Sequence, residues 1–439
     1  MSPIYFAIEG CGHGTLHSIY ASVEESRKQK NWPTVDLLII CGDFQSVRNA
    51  YDLHCVNMPA KYRAMHDFHE YYSGARKAPF LTIFVGGNHE ATNYLFELSY
   101  GGWVAPNIYY LGAANLVRFG PLRIAGLSGI WKGYDYPKPH FERLPYNDDD
   151  LRSIYHVRKV DVRKLLQVRD QVDIGISHDW PRDVVWSGNH TQLFAFKKHL
   201  REDAQQGMLG SVAAREILNH LCPTFWFSAH LHCKYAAVVK RVANEDEVDL
   251  DGEGDHDGKD KETKFLALDK CLPQRHFLQL LEVPTEKELD RPLKLEYDPE
   301  WLAITRAFAL SEPLTLGDPN ASIPLQKSDE KYRELVGKQR AWVNENLSDL
   351  RIPENFEVSA PVYDGGDWRQ PEYRRVEEFP NPQTAAFCDM LKIENAYDIS
   401  PEDREARLNA GPRQSSRDHG ARGDRGRGRG RGRGGRRGR

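Results

Sequence analysis

Five short apolar runs constrain this chain more than any other feature, because potential metal ligands follow each of them at once. The runs cover residues 4–8, 37–40, 80–85, 172–176 and 225–227. Stretches with helical patterning, such as 15–30 and 62–72, lie between them. Continuous apolar strands alternating with helices predict an α/β fold whose sheet is covered on both faces. After the first run comes Glu9-Gly-Cys11-Gly-His13, and after the second Gly42-Asp43. The third is followed by Gly86-Gly-Asn88-His89-Glu90, the fourth by His178-Asp179 and the fifth by Ala229-His230-Leu-His232. Sites in open α/β sheets form beyond the carboxyl ends of the strands, so these five loops are expected to converge.

The donor types suit a pair of metals. Thiolate, imidazole, carboxylate and amide oxygen are all present, and a bridging Asp with three or four further ligands per ion leaves room for a hydroxide. Hydroxide held between two ions is a nucleophile for in-line attack on phosphorus. Taken alone, a Gly-Asp is a common turn, a His after a strand is more often a hydrogen-bonded residue, and His-x-His occurs by chance. Gly-Asn-His-Glu after an apolar strand is rarer, and all five clusters in this order are not a coincidence of composition.

The 439 residues include 40% hydrophobic and 11% aromatic side chains, enough for a sizeable core, so wholesale disorder is excluded. No apolar run approaches the ~20 residues that span a bilayer, so no membrane anchor is expected. The N-terminal segment reads as a strand, not a signal peptide. Seven scattered cysteines form no disulfide pattern and point to a reducing compartment.

The net charge of −4 hides an asymmetry. Residues 421–439 carry nine Arg and one Asp, so the rest of the chain is strongly acidic. A basic tail on an acidic body suggests an acidic partner, nucleic acid first. Residues 244–262 are an acidic low-complexity run, expected to be a disordered insertion between two strands of one sheet. Residues 128–158 are rich in aromatic, proline and basic residues, and loops of this length are usually functional. Past residue 284 the composition changes, which predicts a separate, smaller C-terminal domain over 285–400. The Arg/Gly-rich tail, 401–439, is expected to be disordered.

The ordered set Gly-Asp, Gly-Asn-His-Glu, His and His-x-His resembles the calcineurin-like metallophosphoesterases. Two departures, Cys11 where that superfamily has Asp and Ala229 where it usually has Gly, resemble one branch, the RNA lariat debranching enzymes. Residues 9–14 match that branch's Glu-Gly-Cys-x-His-Gly opening, and 228–232 its Ser-Ala-His-Leu-His. Ser128-Gly-Ile-Trp, Tyr155-His-Val-Arg158, Ser177-His-Asp-Trp-Pro181, Leu268-Asp-Lys-Cys-Leu-Pro273 and Asn381-Pro-Gln-Thr384 also match. The resemblance spans most of residues 1–400. It implies a metallophosphoesterase βαβ sandwich, two sheets flanked by helices, over 1–284, followed by the C-terminal domain.

The resemblance also implies the site. One metal would be held by Cys11, His13, Asp43 and His232, the other by Asp43, Asn88, His178 and His230, with Asp43 bridging. The soft Cys11 thiolate favours Zn²⁺ or Fe²⁺ over Mg²⁺, and the family implies Fe²⁺, Zn²⁺ or Mn²⁺. His89 would be the general acid, with Glu90 and Asp179 orienting imidazoles. The substrate would be an excised intron lariat, cut at its 2′–5′ phosphodiester by metal-activated hydroxide. Segment 128–158 would recognise the branched RNA through Trp131, Lys132, Tyr134, Tyr136, Tyr155, His156 and Arg158, since unstacked bases pack on aromatic rings and phosphates pair with basic groups. Nuclear residence and contact with splicing or intron-turnover factors follow from the same resemblance. The tail reads as an RNA-affinity element, or as a protein-interaction or import element. Two other readings compete: a different phosphatase or nuclease of the superfamily, and a non-catalytic scaffold that has lost its metals. All seven ligand positions carry competent side chains, which argues against the second.

Overall fold

In a computed structural model that describes residues 3–240, 262–286 and 288–415, two sheets pack face to face with helices outside each. The strands in chain order are β1 (Ile4–Glu9), β2 (Leu37–Ile40), β3 (Thr82–Phe84), β4 (Gly102–Ala105), β5 (Ile108–Tyr110), β6 (Ala114–Phe119) and β7 (Leu122–Leu127). β8 (Ile174–Ser177), β9 (Phe225–Ser228), β10 (Tyr235–Lys240), β11 (Glu262–Ala267), β12 (Leu278–Val283) and β13 (Leu295–Tyr297) follow. One sheet has the order β12-β1-β2-β3-β5-β4 and the other β10-β11-β9-β8-β7-β6-β13.

The five apolar runs are the parallel centres of these sheets. β1, β2 and β3 pair in parallel, with Ile8 opposite Ile39 and Ile39 opposite Ile83. β7, β8 and β9 do the same in the second sheet. Alternate side chains point to opposite faces of a strand, so a strand covered on both sides must be apolar throughout. Ile8, Ile39 and Ile83 thus meet Ile124, Ile176 and Phe227 in the core between the sheets. Ala7, Leu38 and Phe84 face outward onto Leu16, Ile19 and Val23 of the helix Leu16–Gln29. The second sheet's outer face is covered by the helix Val212–Leu221, whose N-cap Ser211 accepts from the Ala214 amide.

Strands β4 to β7 and β10 were not signalled by apolar runs. They are short, or carry polar residues such as Asn115 and the buried Arg123 that interrupt the pattern. The helix expected over 62–72 is confined to Phe68–Tyr72. Before it, His66 takes a left-handed φ of +50°, and the Asp67 amide bonds the Gly14 carbonyl, so the segment is tied to the first ligand loop instead of coiling.

The C-terminal part of the chain packs closely on the second sheet. β13 joins the second sheet beside β6, with Leu295 opposite Phe119. Trp301, Ile304 and Phe308 of the helix Pro299–Ser311 belong to the same core as the helix Val212–Leu221. Only a small cluster around Leu302, Val343, Phe387 and Leu391 is its own. The two parts are pinned by Arg123, whose guanidinium donates to both oxygens of fully buried Asp298 at 2.8 Å and to Glu300 at 2.7 Å. The tail is not wholly irregular. Residues Pro401–Ala410 form a helix capped by the Ser400 hydroxyl, which accepts from the Asp403 amide. Residues 416–439, and 244–261 of the acidic insertion, lie outside the described residues. The insertion joins β10 and β11, which are antiparallel neighbours in one sheet.

Removing one partner of a buried, hydrogen-bonded ion network leaves a charge in a low-dielectric interior, at a cost of about 3–5 kcal/mol. Arg123→Ala should therefore lower the urea unfolding free energy by roughly that amount. The C-terminal helices should still unfold together with the sheets in one transition. An early separate transition would show that the shared core does not couple them.

Candidate metal centre

The donors come from the turns that leave β1, β2, β3, β8 and β9, all at one end of the sandwich. His13, Asp43, His230 and His232 have φ of +42°, +44°, +63° and +50°, a left-handed conformation that costs a non-glycine residue energy and clusters at functional sites. Two glycines make room for them. Gly42 has φ +118°, and a Cβ there would fall 2.1 Å from His178 Nδ1. A Cβ on Gly87 would fall 2.2 Å from Asp43 Oδ1 and 2.8 Å from His178 Nε2.

Cys11, His13, Asp43 and His232 offer ligand atoms that all lie within 4.8 Å of one another. His13 Nε2 is 3.3 Å from His232 Nε2 and 3.7 Å from Asp43 Oδ2. The other carboxylate oxygen, Oδ1, faces away from this group, 3.4 Å from His178 Nε2. His178 and His230 meet edge to face with ring centroids 4.9 Å apart. His178 Nδ1 bonds the Cys41 carbonyl at 2.9 Å, which presents Nε2 as the ligand nitrogen. That Nε2 and the Asn88 Oδ1 are buried and have no hydrogen-bond partner. Buried polar atoms are normally satisfied, so these two are orphans that a cation would satisfy. The structure thus gathers Cys11, His13, Asp43 and His232 into one group and sets His178, with the His230 ring beside it, against the other oxygen of Asp43.

The electrostatics fit a divalent cation. Burial opposes ionisation of Asp43, but the imidazoles of His178, His13, His89 and His230 outweigh it and hold the carboxylate ionised. Burial lowers His13, and takes His178 to about 4 and His232 to about 3, keeping these imidazoles neutral as ligands must be. Burial, Asp43 and Glu9 together push the Cys11 thiol well above its ordinary value. Only a bound cation reverses that preference and makes a thiolate ligand. The His230 amide already donates to Cys11 Sγ at 3.3 Å.

His89 is held apart from the ligands. Its amide donates to Asp43 Oδ1 at 2.8 Å, and its Nδ1 bonds the Asn57 carbonyl at 3.0 Å. The ring stands 5.8 Å from that of His13, with Nε2 uncommitted. Glu90 and Asp179 act on backbone, not on imidazoles as expected. Glu90 accepts from the amides of Phe44, Gln45 and Gly87, fixing the β2 and β3 loops against each other. Burial, then Asp43, raises its carboxyl to about 8. Asp179 accepts from the Trp131 amide.

The seven residues expected to touch RNA divide. Arg158 is fully buried, with Nη1 on the Asp135 carbonyl and Nη2 on Glu142 and the Ser153 carbonyl. His156 is 4% exposed and bonds Asp135 at 2.7 Å. These two build the segment from inside and cannot reach RNA, because both side chains are closed off from solvent. Trp131 and Tyr136 are half-buried against the core, their rings 4.7 Å apart. Lys132 and Tyr134 are exposed, Tyr134 by 67%. Tyr155 is half-buried, and its hydroxyl accepts from the Asn57 side chain.

Sequence reading missed Asn57, which joins Tyr155 on one side to His89 on the other, because a lone Asn before Met-Pro carries no signal. It also missed Lys270, which bridges backbone with Cys11 and whose charge bears on both His13 and His232.

Two sheets with this donor cluster at the strand ends define a calcineurin-like phosphoesterase, and residues 4–234 match that family. Residues 260–396 match a second family, the C-terminal domain of lariat debranching enzyme. The chain is 46% identical over 396 residues to "Lariat debranching enzyme A" of Xenopus laevis, covering 88% of this chain and 70% of that one. It is 47% identical over 399 residues to the Danio rerio "Lariat debranching enzyme", covering 89% and 66%. It is 43% identical over 397 residues to that of Arabidopsis thaliana, covering 90% and 88%. The chain belongs to the lariat debranching enzyme family. No helix among the described residues is long and apolar enough to cross a membrane.

Displacing a group that orients a ligand typically costs about 10–100-fold in metal affinity. Gly87→Ala, which crowds both Asp43 and His178, should weaken Mn²⁺ binding by about that factor in a metal titration, with the circular dichroism spectrum unchanged. Unaltered affinity would show that this close approach does not shape the donor set.

Proposed function

We propose that this chain hydrolyses the 2′–5′ phosphodiester at the branch nucleotide of excised intron lariats, releasing linear RNA with a 5′-phosphate and a free 2′-hydroxyl. The observation that carries the reading is the sharing of Asp43 between two donor groups beside His89, in a member of a family named for debranching. Iron, zinc or manganese fits this donor set better than magnesium, since Cys11 contributes a soft sulfur. Bound divalent ions supply charge neutralisation on the phosphate and bring the pKa of water toward neutrality.

The residues of the chain do the rest. As an oxygen from water bonds to phosphorus, the P–O2′ bond breaks and the 2′-oxygen must take a proton. The Asn57 carbonyl accepts Nδ1–H of His89, so in the imidazolium form the second proton, on Nε2, is the one given to that oxygen, which leaves the neutral ring with its proton on Nδ1. Asn57 also holds the Tyr155 hydroxyl, so the segment that would receive the branch and the acid that would act on it share one anchor. Lys270 adds a positive charge beside His13 and His232 that suits a non-bridging phosphate oxygen. Tyr134 and Lys132 offer a stacking face and a charge to unpaired nucleotides. Nuclear residence, where introns are excised, and contact with splicing factors belong to the same proposal.

A synthetic RNA with one 2′–5′ linkage, set beside a matched linear 3′–5′ RNA, tests the reading with each metal in turn. Selective cleavage of the branch is expected, and equal cleavage of both would reduce the protein to a general nuclease. His89→Ala should lower kcat on the branched RNA by about 10²–10⁴-fold. Hydrolysis of bis(4-nitrophenyl) phosphate, whose leaving group needs no proton, should fall far less. Equal loss on both substrates would make His89 a positioning residue.

A further inference from the structure

A second cavity, of about 350 Å³, lies where segment 128–158 meets the C-terminal part of the chain, and none of the seven metal donors lines it. Its basic side chains are Arg143 from segment 128–158 and Arg404 and Arg407 from the helix Pro401–Ala410. All three bear on one carboxylate, Glu378, which is 3.8 Å from Arg407 and also feels Arg404 and Arg143. Of two other lining carboxylates, Glu142 is paired with Arg158, and Glu97 shares Arg48 with Asp52. Asp398 is the remaining acid.

The three guanidiniums thus face Glu378 and Asp398. Neither Arg143 nor Arg404 has a side-chain hydrogen bond or ion pair among the described residues. Burial first, and then Arg413 and Arg407, draws the Arg143 guanidinium below its ordinary value. Side chains gathered at such a cost, with donors unspent, are ready for an anion. Among prolines, amides and aliphatic side chains, the wall carries four aromatic rings, Phe96, Tyr146, Phe379 and Tyr397, of which Phe96 and Tyr397 meet edge to face at 5.2 Å.

We propose that this cavity binds one nucleoside monophosphate unit, its phosphate on Arg143, Arg404 and Arg407 and its base on the aromatic wall. The volume suits a ligand of this size, and convergent polar groups in an aromatic cleft are what such sites require. The unit arrives either as a nucleotide of the RNA chain or as a free mononucleotide, and only that choice of source rests on the debranching reading. Phe96 and Glu97, on the cavity wall, belong to the helix Thr92–Glu97, which begins two residues after Glu90. An RNA strand seated here would be gripped on the far side of the helix that leads out of the Gly87–Glu90 loop.

The test uses the full chain in EDTA, so that the metal centre contributes nothing. Calorimetric titration with AMP and with an unbranched single-stranded RNA is compared between wild type and the Arg143→Gln/Arg404→Gln pair. Hydrogen bonds to a charged partner contribute about 1.5–3 kcal/mol, so AMP affinity should fall about tenfold or more in the pair. A parallel fall with the RNA assigns the site to the substrate strand, and a fall with AMP alone assigns it to a free nucleotide. Should the pair fail to fold, Arg143→Gln alone repeats the comparison, because that guanidinium has no hydrogen bond or ion pair among the described residues. No AMP binding to wild type, or equal affinity in wild type and variant, overturns the proposal. Cleavage assays separate it from the debranching reading: AMP binding without branched-RNA cleavage sinks only that reading, and cleavage without AMP binding sinks only this one.

Discussion

A single buried carboxylate organises the working end of this molecule. Asp43 leaves β2 in a left-handed turn, receives the His89 amide on Oδ1, and turns its two oxygens to different sets of imidazoles. An uncompensated carboxylate at such depth would be untenable. The His89 amide donates to it, and the imidazoles around it favour its ionised form. The strained backbone at His13, His230 and His232 and the bare α-carbon of Gly87 make sense only as accommodations to that arrangement. The sheets provide the rigidity that over-determines the strain, since their parallel apolar centres leave the turns little freedom.

Much of this could be read in the sequence. The ligands were legible because each follows an apolar run, and strand ends in a parallel sheet converge by topology. The departures at Cys11 and Ala229 were legible too, and they narrowed the family. Backbone acceptors were not. The Cys41 carbonyl that aims His178, and the Asn57 carbonyl that aims His89, depend on loop paths that no local pattern encodes. Glu90 looked like a partner for imidazoles, yet it fastens three amides, because a carboxylate with two oxygens can staple adjacent loops in place of water.

The recognition segment shows the limit of reading residue types. Aromatic and basic side chains suggested nucleic acid, but Arg158 and His156 are buried within it, paired with Glu142 and Asp135. Those acids lie 16 and 21 residues before their partners, so no spacing rule links them. The exposed residues, Lys132 and Tyr134, are left on the surface that this network holds in shape. The composition change near residue 285 marks the C-terminal domain, and its first helix shares a core with the second sheet. Arg123, hidden inside an otherwise apolar strand, is the residue that ties the C-terminal part into the second sheet.

The central claim is that Asp43 is shared between two cation sites. Anomalous scattering from crystals soaked in Mn²⁺ tests it most directly. The account predicts two peaks about 3.5–4 Å apart, one against Cys11, His13 and His232 and the other against Asn88, His178 and His230, with Asp43 between them. A single peak, or peaks away from Asp43, would contradict it.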